Sequence, residues 1–222
     1  DRFTSFDNHG RLLTSEQITD GQTYPFEYKY NLSGGLTEEK YPSGRVVRNY
    51  LNSDGGVGSV TSKPGNGLNE VVASSFVYSA TGNIRKMKLG NGLWETAQVN
   101  ERHQLTQIGL GTTQTNQSIF KVDYEYGELS EDGASVDPVK NIGMIARTTT
   151  TIPTTSFVQT FKYDSINRLK EAKEKTGSQV NWQQTFGYDI FGNRTSFSQT
   201  VNGTPLTLTN INHPSIDQSN NR

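Results

Sequence analysis

The sequence predicts an all-β chain built from antiparallel β-hairpins repeated along its length. Three observations carry that expectation: a unit that recurs in phase, alternation of apolar and polar residues inside each unit, and an Asp/Asn and Gly turn signature between them. Composition agrees. With 31% hydrophobic residues and a mean hydropathy of -0.68, the chain is too polar for a deep core. Ten Tyr and ten Phe bring large apolar areas to few positions, so burial should be thin and aromatic.

The repeat emerges when Tyr28 to Asn52, "YKYNLSGGLTEEKYPSGRVVRNYLN", is written above Phe76 to Asn100, "FVYSATGNIRKMKLGNGLWETAQVN". At an ungapped offset of 48, Tyr30 falls on Tyr78, Gly34 on Gly82, Lys40 on Lys88, Gly44 on Gly92 and Asn52 on Asn100. A further step reaches Tyr124 and Tyr126 before the register is lost. Each block divides again into an aromatic-x-Tyr-Asp start, a Gly turn and an aliphatic restart. The best-preserved copies are "FKYDSINRL" (Phe161 to Leu169) and "FGYDIFGNRT" (Phe186 to Thr195), with "SFDNHGRL" (Ser5 to Leu12) near the start. "IDQSNNR" repeats the spacing of Asp189, Asn193 and Arg194 with Asp217, Asn221 and Arg222. Residues 1–222 therefore read as a repeat array with a polar excursion at 127–143, an excerpt of a longer chain.

Within a unit, Val180, Trp182, Gln184, Phe186 and Tyr188 fall on one face of an extended strand, and Gln179, Asn181, Gln183, Thr185 and Gly187 on the other. Phe120, Val122, Tyr124 and Tyr126 alternate in the same way, as do Phe26, Tyr28 and Tyr30. Asp, Asn and Gly between the strands provide side-chain acceptors for turn amides and the positive φ angles that tight hairpins need. "RLKEAKEKTG" (Arg168 to Gly177) has high helix propensity, with Glu171 and Lys175 four residues apart. Its counterparts in other copies have no helical character, so it is assigned to a strand. Two departures, "GELSEDGASVDPVKNIG" (Gly127 to Gly143) and the Thr-rich "RTTTTIPTTS" (Arg147 to Ser156), are read as connections between strands.

Charge and cysteine content exclude several function classes. The net charge is -1, from 21 basic and 22 acidic residues without a long run of either sign, which gives no electrostatic case for nucleic acid or an anionic membrane. No stretch approaches the roughly 18 apolar residues of a membrane-crossing helix. The absence of cysteine excludes disulfides, thiol catalysis and Cys-ligated zinc.

Copies of aromatic-x-Tyr-Asp followed by Gly-Arg-Leu, Asn-Arg-Leu or Gly-Asn-Arg-Thr at twenty-odd-residue intervals resemble the YD repeats of bacterial Rhs proteins, toxin-complex C components and teneurins. The resemblance spans essentially the whole chain. It implies an antiparallel β-hairpin repeat array forming part of a spiralling YD-repeat (Rhs) shell, secreted or at the cell envelope, which in bacterial members often encloses a C-terminal toxic polypeptide. It does not extend to cleavage: the only Asp-Pro pair, Asp137-Pro138, is followed by Val139 and Lys140 rather than by a Gly-Arg junction.

The recurring residues are Phe6, Asp7, Gly10, Arg11, Tyr30, Gly34, Tyr78, Gly82, Tyr126, Tyr163, Asp164, Arg168, Tyr188, Asp189, Gly192, Asn193 and Arg194. A catalytic group is rarely needed once per turn of an array, so they are expected to build corners, with Asp189 accepting turn amides and Arg194 packing over aromatic neighbours. His9, His103 and His213 stand apart, without metal-ligand spacing. Glu128, Glu131, Asp132 and Asp137 lack the order of a calcium loop. Gly56-Val57-Gly58 and Gly109-Leu110-Gly111 lie outside any strand-to-helix context. The sequons at Asn31, Asn116, Asn193 and Asn202 are taken as products of a Ser/Thr/Asn-rich composition. Trp94 and Trp182 are candidates for stacking on a ligand, with packing the expected use.

No catalytic role, cofactor or metal is expected. The expected partners are flanking repeats, an enclosed polypeptide or a cell-surface partner, and further copies through the sheet edges. The alternative function is an adhesive surface that binds carbohydrate or protein.

Overall fold

The computed structural model describes residues 1–207. Seventeen strands form one antiparallel sheet and two more form a small separate ladder. By compactness the chain divides into two units, Asp1–Thr96 with Gly111–Asn116, and Ala97–Leu110 with Gln117–Arg222.

In the first unit β1 (Arg2–Phe6), β2 (Leu12–Thr19), β3 (Gln22–Tyr30), β4 (Leu36–Lys40), β5 (Val46–Leu51), β6 (Val57–Lys63), β7 (Glu70–Tyr78) and β8 (Ile84–Leu89) form a meander. Every strand pairs antiparallel with the next. β9 (Trp94–Val99) continues it by pairing with β8. Because the meander is strict, the turns after β1, β3, β5 and β7 fall at one end of the strands. Those turns share one register: Phe6 is opposite Leu12, Tyr30 opposite Leu36, Leu51 opposite Val57 and Tyr78 opposite Ile84, each with an irregularity one step into the strand. A three-residue hairpin loop, a type I turn followed by a left-handed residue, generates this offset.

The second unit repeats the plan with β10 (Leu105–Gly111), β11 (Phe120–Tyr126), β14 (Ile145–Ile152), β15 (Thr155–Tyr163), β16 (Leu169–Thr176), β17 (Gln179–Tyr188), β18 (Arg194–Val201) and the short β19 (Thr204–Pro205). Tyr163 is opposite Leu169 and Tyr188 opposite Arg194, again with a shift one step in. Between β11 and β14 the chain departs into β12 (Glu128–Leu129), β13 (Val136–Asp137) and a 3-10 turn, η1 (Pro138–Lys140). Among the described residues β12 pairs only with β13.

Three sequence expectations need correction. The Thr-rich "RTTTTIPTTS" is not a connection: it supplies most of β14, a turn at Pro153-Thr154 and the start of β15. Threonine is β-branched and suits a pleated, half-buried surface, so a run of it extends rather than loops. The second correction concerns Val180, which does not stay on the face of Trp182. Trp182 is opposite Glu174 and Val180 opposite the adjacent Lys175, so Asn181 is an extra residue in β17. Its carbonyl accepts the Asn202 N–H at 2.8 Å, while its amide group donates to Glu174 Oε1 at 3.0 Å and Thr176 Oγ1 at 2.8 Å.

The third correction concerns the core. Burial is thin, yet among the described residues the buried ones are small rather than aromatic: the buried apolar side chains are Ala73, Ala146 and Ala172, joined by Ser15, Thr61, Ser62, Thr96, Thr148 and Thr160. In a single-layer sheet a residue is covered by its cross-strand neighbours. A short side chain flanked by long ones disappears beneath them, while the long ones stay half-exposed. Ala172 shows this, lying opposite Phe161 on one side and Gln184 on the other.

The two faces of the second unit differ in chemistry. One carries the cross-strand rows Thr148, Gln159, Glu174, Trp182 and Phe161, Ala172, Gln184, Gln199, together with the Phe186–Phe197 pair, whose ring centroids are 5.4 Å apart. The other carries Arg147, Thr160, Lys173, Gln183 and Thr200 in one row, and Lys162, Glu171, Thr185 and Ser198 in the next. Arg168 to Gly177, the segment with helix propensity, lies mostly within β16, held by both neighbours.

Candidate functional site: the clasped turns

The recurring residues meet at one end of the strands in each unit. Asp164 opens the turn between β15 and β16. Its N–H donates to the Arg168 carbonyl at 2.9 Å, and its carbonyl accepts the Asn167 N–H at 3.0 Å. The carboxylate completes the corner: Oδ1 accepts the N–H groups of Ile166 at 3.1 Å and Arg168 at 2.9 Å, and Oδ2 accepts Arg168 Nε at 2.7 Å. Asp7 repeats this with the N–H groups of His9 at 2.8 Å and Arg11 at 3.0 Å, and with Arg11 Nε at 2.6 Å. Asp189 takes the N–H groups of Phe191 and Asn193, both at 2.9 Å, but here the Asn193 side-chain amide replaces the guanidinium at Oδ2, also at 2.9 Å.

These donors hold the carboxylates ionised. The backbone amide of Arg11, followed by its guanidinium, pulls Asp7 down to about 2. Asp164 is lowered chiefly by the Arg168 amide, and Asp189 chiefly by the Asn193 side chain. The donors favour the charged form because only the carboxylate can accept all of them.

The arginine then reaches out of its own turn. Arg168 Nη1 donates to the Asp189 carbonyl at 2.8 Å, and its guanidinium lies 4.7 Å from the Tyr188 ring centroid. Arg11 does the same in the first unit, donating to the Asn31 carbonyl at 2.8 Å and lying 5.1 Å from the Tyr30 ring centroid. Tyrosine returns the contact. Tyr188 donates its hydroxyl to the Leu169 carbonyl at 2.8 Å, Tyr163 to Ile145 at 2.8 Å, Tyr126 to Leu105 at 3.0 Å and Tyr78 to Val57 at 2.8 Å. Burial raises the Tyr126 and Tyr163 hydroxyls above the usual phenol range, which keeps them protonated donors. These bonds tie the Asp7 corner to the Asn31 corner, the Asn52 corner to the Ser79 corner and the Asp164 corner to the Asp189 corner, each along one edge of its unit.

Other sequence-selected residues take simpler places. Phe6 occupies the tyrosine position of the first turn and is 55% exposed, with no hydroxyl to donate. Gly10, Gly34, Gly82 and Gly192 adopt left-handed φ angles in their turns. Arg194 stacks over Phe197 at 5.1 Å. Trp94 and Trp182 are half-buried in β9 and β17. His9 and His103 are exposed turn residues; His213, Asp217, Asn221 and Arg222 lie outside the described residues. In the acidic loop Glu128 pairs with Lys140, and Asp132 and Asp137 accept the N–H groups of Ala134 and Val139. Among the described residues no three His, Cys, Asp or Glu gather where they could hold a metal ion. No helix among them is long and apolar enough to cross a membrane.

Sequence reasoning placed Gly34 and Gly82 in corners but did not name the residues that cap the corners without aspartate. Asn31 Oδ1 accepts the Gly35 N–H at 2.8 Å, Ser79 Oγ accepts Asn83 N–H at 3.1 Å, and Asn100 Oδ1 accepts the N–H groups of Arg102 and Gln104 at 2.9 and 3.0 Å. Arg102 Nη1 also reaches the Asn141 carbonyl at 2.8 Å. The legible signal was an Asn or Ser just after an extended strand with Gly, or a residue able to take its place, three positions on.

Strict hairpins, capped corners and Arg–Tyr clasps at Arg11 and Arg168 make an all-β antiparallel hairpin array, the fold class that the sequence implied. No protein-family model and no curated protein matches the chain. Solved structures do. The crystal structure of TcdB2-TccC3 aligns with a TM-score of 0.73 at 17% identity, covering 92% of this chain and 12% of that one. A TcdB2-TccC3-Cdc42 crystal structure gives 0.70 at 18% identity, covering 91% and 11%. A Photorhabdus luminescens Tc holotoxin pore with a TccC3 mutation gives 0.72 at 18% identity, covering 92% and 11%. The chain thus shares the fold of these toxin-complex components while spanning about a tenth of their length.

Proposed function

We propose that this chain is a non-catalytic wall segment of a secreted or envelope-associated YD-repeat shell that encloses or displays another polypeptide, such as a toxic domain. The observation that carries the proposal is the clasp. Arg11 and Arg168 each reach from their own Asp-capped turn to the next corner on the same edge, and Tyr78, Tyr126, Tyr163 and Tyr188 donate across the strands beside the corners, so residues that recur are used to propagate a sheet. In the second unit one face carries Phe161, Trp182, Phe186 and Phe197 among Gln, Glu and Thr side chains and the other carries Arg147, Lys162, Glu171 and Lys173, and two unlike faces suit a wall with different surroundings on its two sides. Likeness in fold to the TcdB2-TccC3 structures supports the same reading. On this reading residues 1–222 are one stretch of a longer array, flanked by further repeats. The recurring motif residues are structural, and no nucleic acid or membrane insertion is involved.

The test is limited proteolysis of the native, full-length parent protein, with the peptides mapped by mass spectrometry. A polypeptide outside the repeats that stays uncut in the intact protein, but is digested once the repeats are unfolded, is the expected result. Immediate digestion of every non-repeat segment would remove the enclosing role.

A second reading, an adhesive surface, has one observation in its favour. Trp182 lies in a row with Glu174, which accepts hydrogen bonds from Gln159 Nε2 at 2.8 Å and Asn181 Nδ2 at 3.0 Å; a ring beside amides and a carboxylate is the chemistry that binds sugars. A glycan array probed with the parent and with Trp94→Ala and Trp182→Ala discriminates. Binding lost in either variant favours adhesion, and no binding by the parent removes it.

A further inference from the structure

The connection between β11 and β14 hides an ordinary corner. Six corners keep one count across the turn: Phe6 lies opposite Leu12, Tyr30 opposite Leu36, Leu51 opposite Val57, Tyr78 opposite Ile84, Tyr163 opposite Leu169 and Tyr188 opposite Arg194, always 6 positions apart. Tyr126 lies opposite Ile145 with the same shift one step into the strand, but 19 positions on rather than 6, which makes 13 residues extra. The corner beneath is still clasped. Tyr126 donates its hydroxyl to the Leu105 carbonyl at 3.0 Å, and the Ile145 carbonyl accepts the Tyr163 hydroxyl at 2.8 Å. A ladder with one register at corners of either length does not take that register from the extra residues.

The inserted segment closes largely on itself. Among the described residues β12 and β13 pair only with each other. Ser130 N–H donates to the Ser135 carbonyl and Gly133 N–H to the Ser130 carbonyl, both at 2.9 Å, which makes a turn inside the segment, and Glu128 pairs with Lys140. No residue from Glu128 to Gly143 is buried. A cavity of about 400 Å³ remains between the segment and β15, with Leu129, Ile142 and Met144 on one side and Phe161 and Tyr163 on the other. The contacts that hold the segment down are polar. Arg147 Nη1 donates to the Ala134 carbonyl at 3.0 Å, Lys162 Nζ to the Glu131 carbonyl at 2.9 Å and Arg102 Nη1 to the Asn141 carbonyl at 2.8 Å. Gln104 and Asn141 exchange side-chain amide hydrogen bonds at 2.8 and 3.3 Å. Gly127 and Gly143 stand at the two ends, with φ 147 and 96. At Gly127 a Cβ would lie 2.2 Å from the Asp137 carbonyl oxygen, so the neck of the segment admits only glycine there.

We infer that residues 127–144 form a latched flap, hinged at Gly127 and Gly143, that opens away from β15 and closes again while the corner at Tyr126 stays clasped. Sparse burial and a cavity under the segment are the marks of an element that opens below the free energy of global unfolding. Residues at the ends of such an element absorb the backbone change. Arg102, Arg147 and Lys162 are the latch: they belong to the sheet and its corners, and each directs a charged donor to a flap carbonyl. Opening uncovers Phe161 and Tyr163, which line the cavity from β15. The inference goes beyond the wall reading and does not rest on it.

Amide hydrogen exchange of the full chain, followed through a series of sub-denaturing urea concentrations, tests the flap. The amides of Ser130, Gly133 and Ser135 should exchange at least about tenfold faster than those of β11 and β14, yet more slowly than in an unfolded peptide. Their rates should depend little on urea, because a local opening exposes little surface. Arg102→Ala and Lys162→Ala should each speed exchange in the flap and leave β11 and β14 as in the parent. Replacing residues 127–144 by Asp-Ser-Ile-Asn-Arg, the sequence of residues 164–168, restores the count of the other corners. That variant should keep the far-UV circular dichroism of a sheet and the slow exchange of β11 and β14. The inference is overturned if the flap amides share the rate and urea slope of β11 and β14, or exchange as freely as an unfolded peptide. It is equally overturned if neither latch variant changes the flap, or if the replacement loses the sheet. None of these outcomes bears on the enclosing role, which proteolysis of the parent protein decides separately.

Discussion

Arg168 and Tyr188 belong to consecutive corners, 4.7 Å apart from guanidinium carbon to ring centroid, and their polar groups cross over: Arg168 donates to the carbonyl of Asp189, and Tyr188 to the carbonyl of Leu169. Both bonds close the open end of the β16–β17 hairpin, joining the corner before β16 to the corner after β17. Together they fix the spacing of two corners that share only the strands between them.

Removing the arginine should therefore cost more than a surface ion pair. Arg168→Lys keeps the charge but loses the planar fork that serves Asp164, Asp189 and the Tyr188 ring at once. Loss of stacking alone should lower stability by about 0.5–1 kcal/mol, and Arg168→Ala by more. Urea denaturation of the two variants against the parent measures the difference. An Arg168→Lys variant as stable as the parent would show that the fork is unused.

The tyrosine hydroxyl separates from its ring by mutation. Tyr188→Phe leaves the ring under Arg168 and leaves the Leu169 carbonyl without that donor, for a cost of about 0.5–1.5 kcal/mol. Tyr188→Leu should be worse, because stacking goes as well. Amide hydrogen exchange in the Asp189–Asn193 corner should accelerate in both variants, and more so in the second.

Acid should loosen the corners in a defined window. Asp7, Asp164 and Asp189 are all lower in the folded chain than free carboxylates. Their contribution is fully present above the unfolded value, 3.8, and is lost as pH falls through the folded value, about 2 for Asp7. Thermal melts from pH 5 to pH 2 should show a falling midpoint below about pH 4. In Asp7→Asn the slope should flatten, since an amide still accepts the turn N–H groups, as Asn100 does natively, but does not titrate.

The left-handed position tests the corner geometry itself. Gly192 has φ +91 with open space where a Cβ would stand, so Gly192→Ala meets no clash and its cost is conformational, roughly 1–2 kcal/mol. Asn167 holds the equivalent place at φ 67, and Asn167→Gly should leave stability nearly unchanged or raise it. Chemical denaturation of the pair decides. Gly192→Ala without loss would mean that the corner can relax out of the left-handed region.

The local code was open to reading because each corner is made by residues close in sequence. Asp164, Asn167 and Arg168 sit within five positions, and carboxylate, turn amides and positive φ form one short-range unit. The strand choice for Arg168 to Gly177 was legible only by comparison with other copies, because the segment alone favours a helix. By contrast, the Thr-rich β14 was not legible as a strand, since a run of identical residues has no alternation to show which face is buried.

Sequence by itself determined the repeat, the hairpins, the turn chemistry and the residues that recur, because these depend on periodicity and on hydrogen bonds spanning four residues. Tertiary structure alone decided which corners touch. Arg168 meets Tyr188 and Asp189 only after two strands have paired and brought every second turn to the same end. The extra residue at Asn181, the cavity beside β15 and the burial of alanine and threonine rather than phenylalanine have the same origin. Each depends on which residue lies across the strand, and cross-strand register is a property of the folded sheet.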